Sequence, residues 1–207
     1  MNKGMGYAAL CALIFVTLEP VSKLLGGQLD PMLVTGVRFA IGGLVLLPGA
    51  LKKSRKIGLR LGGRDLAQLG LLGVLVICVS MVLLQIAIEL SDAPAMIAII
   101  FSSNSVMLLL LAALVLRERL SARRWAAVGL CAAGVLCGTQ LSAGAGTASV
   151  LLAAAAAATF SLYALLSKKL AARIPSAVQM SLSYLIGSAV LLLWLCGTNL
   201  GAFSEIE

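Results

Sequence analysis

The chain has 207 residues, 61% hydrophobic and 12% charged, with a mean hydropathy of +1.07. A soluble domain is about 45–50% apolar and about 25% charged, so this composition excludes one and describes an all-α, polytopic helical membrane protein. The formal net charge is +8, but the cations lie in short clusters between apolar runs, the distribution that orients membrane helices, and nucleic acid is set aside as a partner.

Apolar runs predict seven transmembrane helices at 5–25, 31–51, 66–90, 93–116, 125–141, 148–167 and 177–196. Each is long enough to cross most or all of a ~30 Å hydrocarbon core at about 1.5 Å per residue. Lys3 before the first apolar run resembles the start of a signal peptide. No small-residue cleavage site followed by a soluble domain appears, so these residues read as an uncleaved first span. Ionisable groups inside a span cost about 2.5–3.5 kcal/mol on insertion scales and need a reason. Glu19 is followed by Pro20, which breaks or kinks a helix, and by Lys23 on the same face. Either Glu19 neutralises a snorkelling Lys23, or it lines a cavity and exchanges a proton or meets a cationic group. Arg38, about seven residues into the second span, reads foremost as a fold-supporting ion pair with Glu19, Glu89 or Asp30 and secondarily as a substrate contact.

Farther along, Ser80 and Gln85 interrupt the third span, and Ser102, Ser103, Asn104 and Ser105 the middle of the fourth. Such side chains bond between helices at roughly 0.6–2 kcal/mol each, or line a polar passage. Glu118 sits at a helix C-terminus, against the helix dipole, and the surrounding Arg117, Arg119, Arg123 and Arg124 compensate it. Gly129, Gly134 and Gly138 in the fifth span and the alanine run Ala153–Ala158 in the sixth are small-residue faces for close helix packing. Cys11, Cys78, Cys131, Cys137 and Cys196 all fall inside spans and read as small hydrophobes.

All of the 16 Lys and Arg except Lys23 and Arg38 fall at the N-terminus or in alternate loops: 52–64, 117–124 and 168–173. Short basic loops stay cytoplasmic, which places the N-terminus inside and the tail from Thr198 outside. A repeat recurs without gaps at a lag of 145 residues: Ser22-Lys23-x-Leu25 as Ser167-Lys168-x-Leu170, Ile41-Gly42 as Ile186-Gly187, Val45-Leu46-Leu47 as Val190-Leu191-Leu192, and Phe15 as Phe160. Arg38 aligns with Ser183, so the second copy lacks that charge. An odd number of spans separates the copies, which inverts the second, as in many secondary transporters.

The Leu-x-Glu-Arg-Leu-Ser run at 116–121, the spaced glycines after it, the segment Ala87–Ala95 and Val37-Arg38-Phe39 together resemble the EamA-type repeat of the drug/metabolite transporter superfamily. Ser105 stands where such repeats often have proline, which removes the reason to expect a proline kink there. The resemblance implies one full five-helix repeat over 1–141 and the first two helices of an inverted second repeat over 148–207. It implies gradient-driven alternating access for small metabolites or amino-acid-like compounds, as an exporter in a bacterial cytoplasmic membrane. Small multidrug members of the superfamily place a functional glutamate in their first span, as Glu19 is placed here. The alternative is a truncated, non-transporting protein that needs another membrane chain, or copies of itself, to complete the fold.

The sequence has no histidine, hence no Ser-His dyad or histidine-ligated zinc. It has no glycine-rich phosphate loop with its Lys-Ser/Thr either. The expectation is a carrier rather than an enzyme, with no cofactor and no metal. Its site candidates are Glu19, Lys23, Arg38, Gln85, Ser102 and Asn104, and its partners are the lipid bilayer and a small-molecule substrate.

Overall fold

The computed structural model describes residues 30–58, 61–116, 122–141 and 146–199, and the regular elements among them are all helices. Helix α1 spans Pro31–Ile57. Pro31 suits its first turn, and the Asp30 carboxylate accepts the Met32 N–H at 2.8 Å. The helix ends at Gly58, whose φ of 65° is a left-handed conformation that glycine adopts without a Cβ clash. Helix α2 spans Gly63–Glu89, with π-helical winding over Val74–Met81. The Asp65 carboxylate caps it by accepting the Gly62 N–H at 3.0 Å. Helices α3 (Pro94–Ser102) and α4 (Asn104–Leu116) are two halves of one span, broken at Ser103. Helices α5 (Ala122–Leu141), α6 (Thr147–Leu170) and α7 (Ser176–Asn199) complete the order.

Five of the described segments are long and apolar enough to cross a membrane: Pro31–Ile57, Gly63–Glu89, Pro94–Val115, Thr147–Leu170 and Ser176–Gly197. In α5 the stretch Trp125–Gly134 is a shorter apolar helix among the described residues. Seven spans are therefore not established. The expected span at 5–25, with Glu19 and Lys23, and the loop 117–121 lie outside the described residues.

The bundle is built on helix crossings that small residues permit. Helix α1 runs antiparallel along α7: Gly36 meets Leu192, Gly43 meets Leu185, and Ala50 shares a buried cluster with Val178. The seven-residue spacing on both helices gives an interlocking seam. Ser181 on α7 donates to the Gly43 carbonyl at 2.9 Å, and Ser183 to the Leu69 carbonyl of α2 at 2.9 Å. Helices α2 and α7 cross at Gly73 and Gly187, where a Cβ on either would fall on the other helix's backbone. On its other side α2 meets α6, with Ser80 donating to the Ala156 carbonyl at 2.9 Å and Ala153, Ala156 and Ala157 fully buried. The alanine run packs as expected.

Gly129 and Gly134 of α5 do not: among the described residues nothing lies within 4 Å of where a Cβ would stand on either, and Leu130 beside them is 78% exposed. Cys137 and Cys196 are likewise exposed rather than buried.

The two ends of the bundle are distinguishable. At one, Arg173 from the α6–α7 turn stands 3.3 Å from the buried carboxylate of Asp65 at the start of α2. The basic segments 52–64 and 168–173 therefore share an end. At the other, Ser149 at the start of α6 donates to the Leu90 carbonyl after α2 at 3.2 Å.

Candidate functional site

The site begins with the break between α3 and α4. Ser102 donates its hydroxyl to the Ala98 carbonyl at 2.8 Å and Ser103 to the Ile100 carbonyl at 2.6 Å, side-chain bonds that compete with regular helix geometry. The Ser103 N–H turns back to the Ile100 carbonyl at 3.1 Å, and the Val106 and Met107 N–H groups both reach the Ser103 carbonyl. On the neighbouring helix α6, Ser161 shares its proton between the Asn104 carbonyl (2.8 Å) and its own Ala157 carbonyl (2.7 Å). The span breaks without proline, contrary to what Ser105 in the proline position suggests, because serine hydroxyls on both helices satisfy the groups that the break disturbs.

Irregular backbone at membrane depth persists where it is buried in protein or lines a cavity. Here it lines one. A cavity of about 320 Å³ opens beside the break. One wall is polar: Ser102, Asn104 and Ser105, with Ser105 donating to the Asn104 side-chain oxygen at 3.1 Å. The π-wound part of α2 contributes Val76 and Met81, and the remaining wall is aromatic: Phe39 from α1, Phe101 from α3, Phe160 from α6 and Tyr184 from α7. These rings brace one another edge to face. Phe39 and Tyr184 lie 5.1 Å apart between centroids and Phe101 and Phe160 5.6 Å apart, while Tyr163 tilts against Phe160 at 5.8 Å.

Of the candidates from sequence, the fold brings Ser102 and Asn104 together in the cavity wall. Arg38 stands beside it, its guanidinium 5.3 Å from the Phe39 ring centroid. Gln85 lies half-buried on α2, one turn beyond Met81 and outside the wall. Asp30, a proposed partner of Arg38, uses its carboxylate to cap α1, and Glu89 is exposed at the end of α2. The aromatic residues were not singled out from sequence. A signal for three of them existed: at the lag of 145, Phe39 falls on Tyr184 and Phe15 on Phe160. Among the described residues no cluster of three or more His, Cys, Asp or Glu side chains could hold a metal ion. The walls offer stacking and hydrogen bonding, which suits binding.

The EamA-like transporter family matches this chain over residues 2–139, two thirds of its length. The chain belongs to that family. It is also 31% identical over 215 residues to an uncharacterized transporter of Clostridium kluyveri, an alignment covering 100% of this chain and 69% of that protein. No solved structure matches. The family and the relative's name both point to a membrane transporter of the drug/metabolite type.

Proposed function

We propose that this protein moves a small metabolite or amino-acid-like compound across the bacterial cytoplasmic membrane by gradient-driven alternating access, with the cavity at the α3–α4 break as its solute site. The observation that carries this reading is the break itself: a span interrupted near its middle, supported across the helix interface by Ser161, and opening onto a cavity with one polar wall. Discontinuous helices at the midplane are where secondary transporters place their solutes. The export direction rests on the family resemblance.

The proposed domain plan, a five-helix repeat over 1–141 and an inverted one beginning near 148, has support in the packing of α1 on α7. These helices are equivalent at the lag of 145 and lie antiparallel. The equivalent residues Phe39 and Tyr184 touch each other, as residues on a pseudo-twofold axis in the membrane plane must. The proposed orientation, basic loops inside, is supported by Asp65 and Arg173, which hold two of those loops at one end. Glu19 and Lys23 stay candidates for ion coupling on the sequence argument alone.

A second reading, in which another membrane chain or a second copy completes the transporter, is favoured by the outer face of α5, where Gly129 and Gly134 meet no neighbour among the described residues and Leu130 is 78% exposed. The test of the first reading is metabolite profiling of the medium of cells expressing the chain against cells expressing Asn104→Ala at equal membrane abundance. Transport predicts solutes that accumulate outside with the native chain and not with the variant. Identical profiles would refute it, and activity only at high protein density in liposomes would establish the second reading.

A further inference from the structure

We infer that the basic end of the bundle binds an anionic phospholipid, its phosphate shared between the end of α1 and the α6–α7 turn. Lys52, Lys53, Arg55 and Lys56 in the last two turns of α1, and Lys168 and Lys169 in the last turn of α6, are all exposed. Orientation by charge requires only that such residues lie on one side of the membrane. Packing goes further and gathers them. Ala50 of α1, Leu69 of α2, Ile174 of the α6–α7 turn and Val178 of α7 form one buried cluster, with Leu170 of α6 packed against it. Lys53 stands nearly one helical turn after Ala50, and Lys169 directly precedes Leu170, so cations from both halves of the chain rim the same cluster. Among the described residues at this end Asp65 is the one acid, and the Gly62 N–H and Arg173 already engage its carboxylate.

Depth and apolar surface select a lipid over a dissolved anion. Helix α1 has 27 residues and is about 40 Å long, against a hydrocarbon core of ~30 Å, so its last turns reach the headgroup layer. Apolar side chains stand among the cations: Leu51 is 50% exposed, Ile57 58% and Leu66, at the start of α2, 50%. A soluble anion leaves that surface bare. A phospholipid covers it with acyl chains, while the Lys and Arg stems run past them to the phosphate. Arg55 adds a planar fork that can hold two phosphate oxygens at once. The opposite end of the described bundle carries Asp30, Glu89 and Asp92, which repel anionic headgroups and confine the lipid to one leaflet. A phosphate held from α1 and from the α6–α7 turn ties together two parts of the chain that are far apart in sequence.

The experiment follows thermal unfolding of the full chain in a neutral detergent at about 150 mM salt, where diffuse surface attraction is screened. Phosphatidylglycerol, phosphatidylcholine or inorganic phosphate is added at equal phosphate concentration. Phosphatidylglycerol should raise the midpoint by about 3–6 °C, and the other two should not. Two double variants remove one half of the site each: Lys52→Gln with Lys53→Gln, and Lys168→Gln with Lys169→Gln. Each should lose more than half of the shift. Lys168→Arg with Lys169→Arg should retain it, as should Asp92→Asn at the opposite end. Mass spectrometry of lipid retained after delipidation gives a second measure that does not depend on unfolding. The native chain should keep phosphatidylglycerol in preference to phosphatidylcholine, and both glutamine variants should lose that preference. An equal shift with phosphatidylcholine would overturn the proposal, and an equal shift with inorganic phosphate would replace the lipid by a free anion. A shift or a retention that survives either glutamine variant would refute the shared site.

Discussion

Glycine has opposite consequences at two sites in this bundle. At Gly73 a methyl group would land on the Ser183 carbonyl of α7, backbone that cannot swing aside. Gly73→Ala should therefore destabilise the protein by about 1–3 kcal/mol, the range for overpacking. At Gly129 a methyl group meets no neighbour among the described residues, and Gly129→Ala should be neutral or stabilising by up to about 1 kcal/mol through helix propensity. Thermal unfolding of the two variants in one detergent checks the contrast, and equal behaviour would contradict the α2–α7 crossing. Ser102 and Asn104 were legible as candidates because polar residues stand out in an apolar run. The ring residues were not, because Phe39, Phe101, Phe160 and Tyr184 look like ordinary core residues until four helices converge. Even the repeat, which pairs Phe39 with Tyr184, gave no distance between them.

For the five described spans, helix existence and order were readable from hydropathy, because about twenty apolar residues have few alternatives in a bilayer. The break at Ser103 was not readable as a break. Its support comes partly from Ser161, 57 residues away from Asn104 in sequence. Ser161→Ala should cost roughly 0.6–2 kcal/mol and speed amide hydrogen exchange at residues 103–107, with little change at the α1–α7 seam. Unchanged exchange would mean that the break holds without α6. Helix α2 is anchored differently. Asp65→Ala removes the cap on Gly62 and should cost about 0.5–2 kcal/mol. Arg173→Gln should cost less, within the ~0–1 kcal/mol of solvent-exposed ion pairs, since that side chain is 71% exposed. A larger effect at Arg173 than at Asp65 would contradict this assignment.

At the scale of the described bundle, charge pattern and packing agree that the basic loops before α2 and between α6 and α7 share an end, and α5 is where expectation and structure part. Its glycines promised a tight interface, but whether a small-residue face is used depends on which neighbours reach it. Cysteines at Lys56 and Lys169 should react with an impermeant thiol reagent from the same side, and one at Asp92 from the other. The central claim is that the broken span opens to a solute cavity reached alternately from both sides. The most direct test places one cysteine at Ser102, and for comparison one at Leu114, 78% exposed on the outer surface of α4, in a background stripped of native cysteines. A charged methanethiosulfonate reagent is then applied to right-side-out and to inside-out vesicles. The account predicts that the cysteine at 102 is modified from either side, and faster than the one at 114. Modification at 102 from one side only, or no faster than at 114, would contradict it.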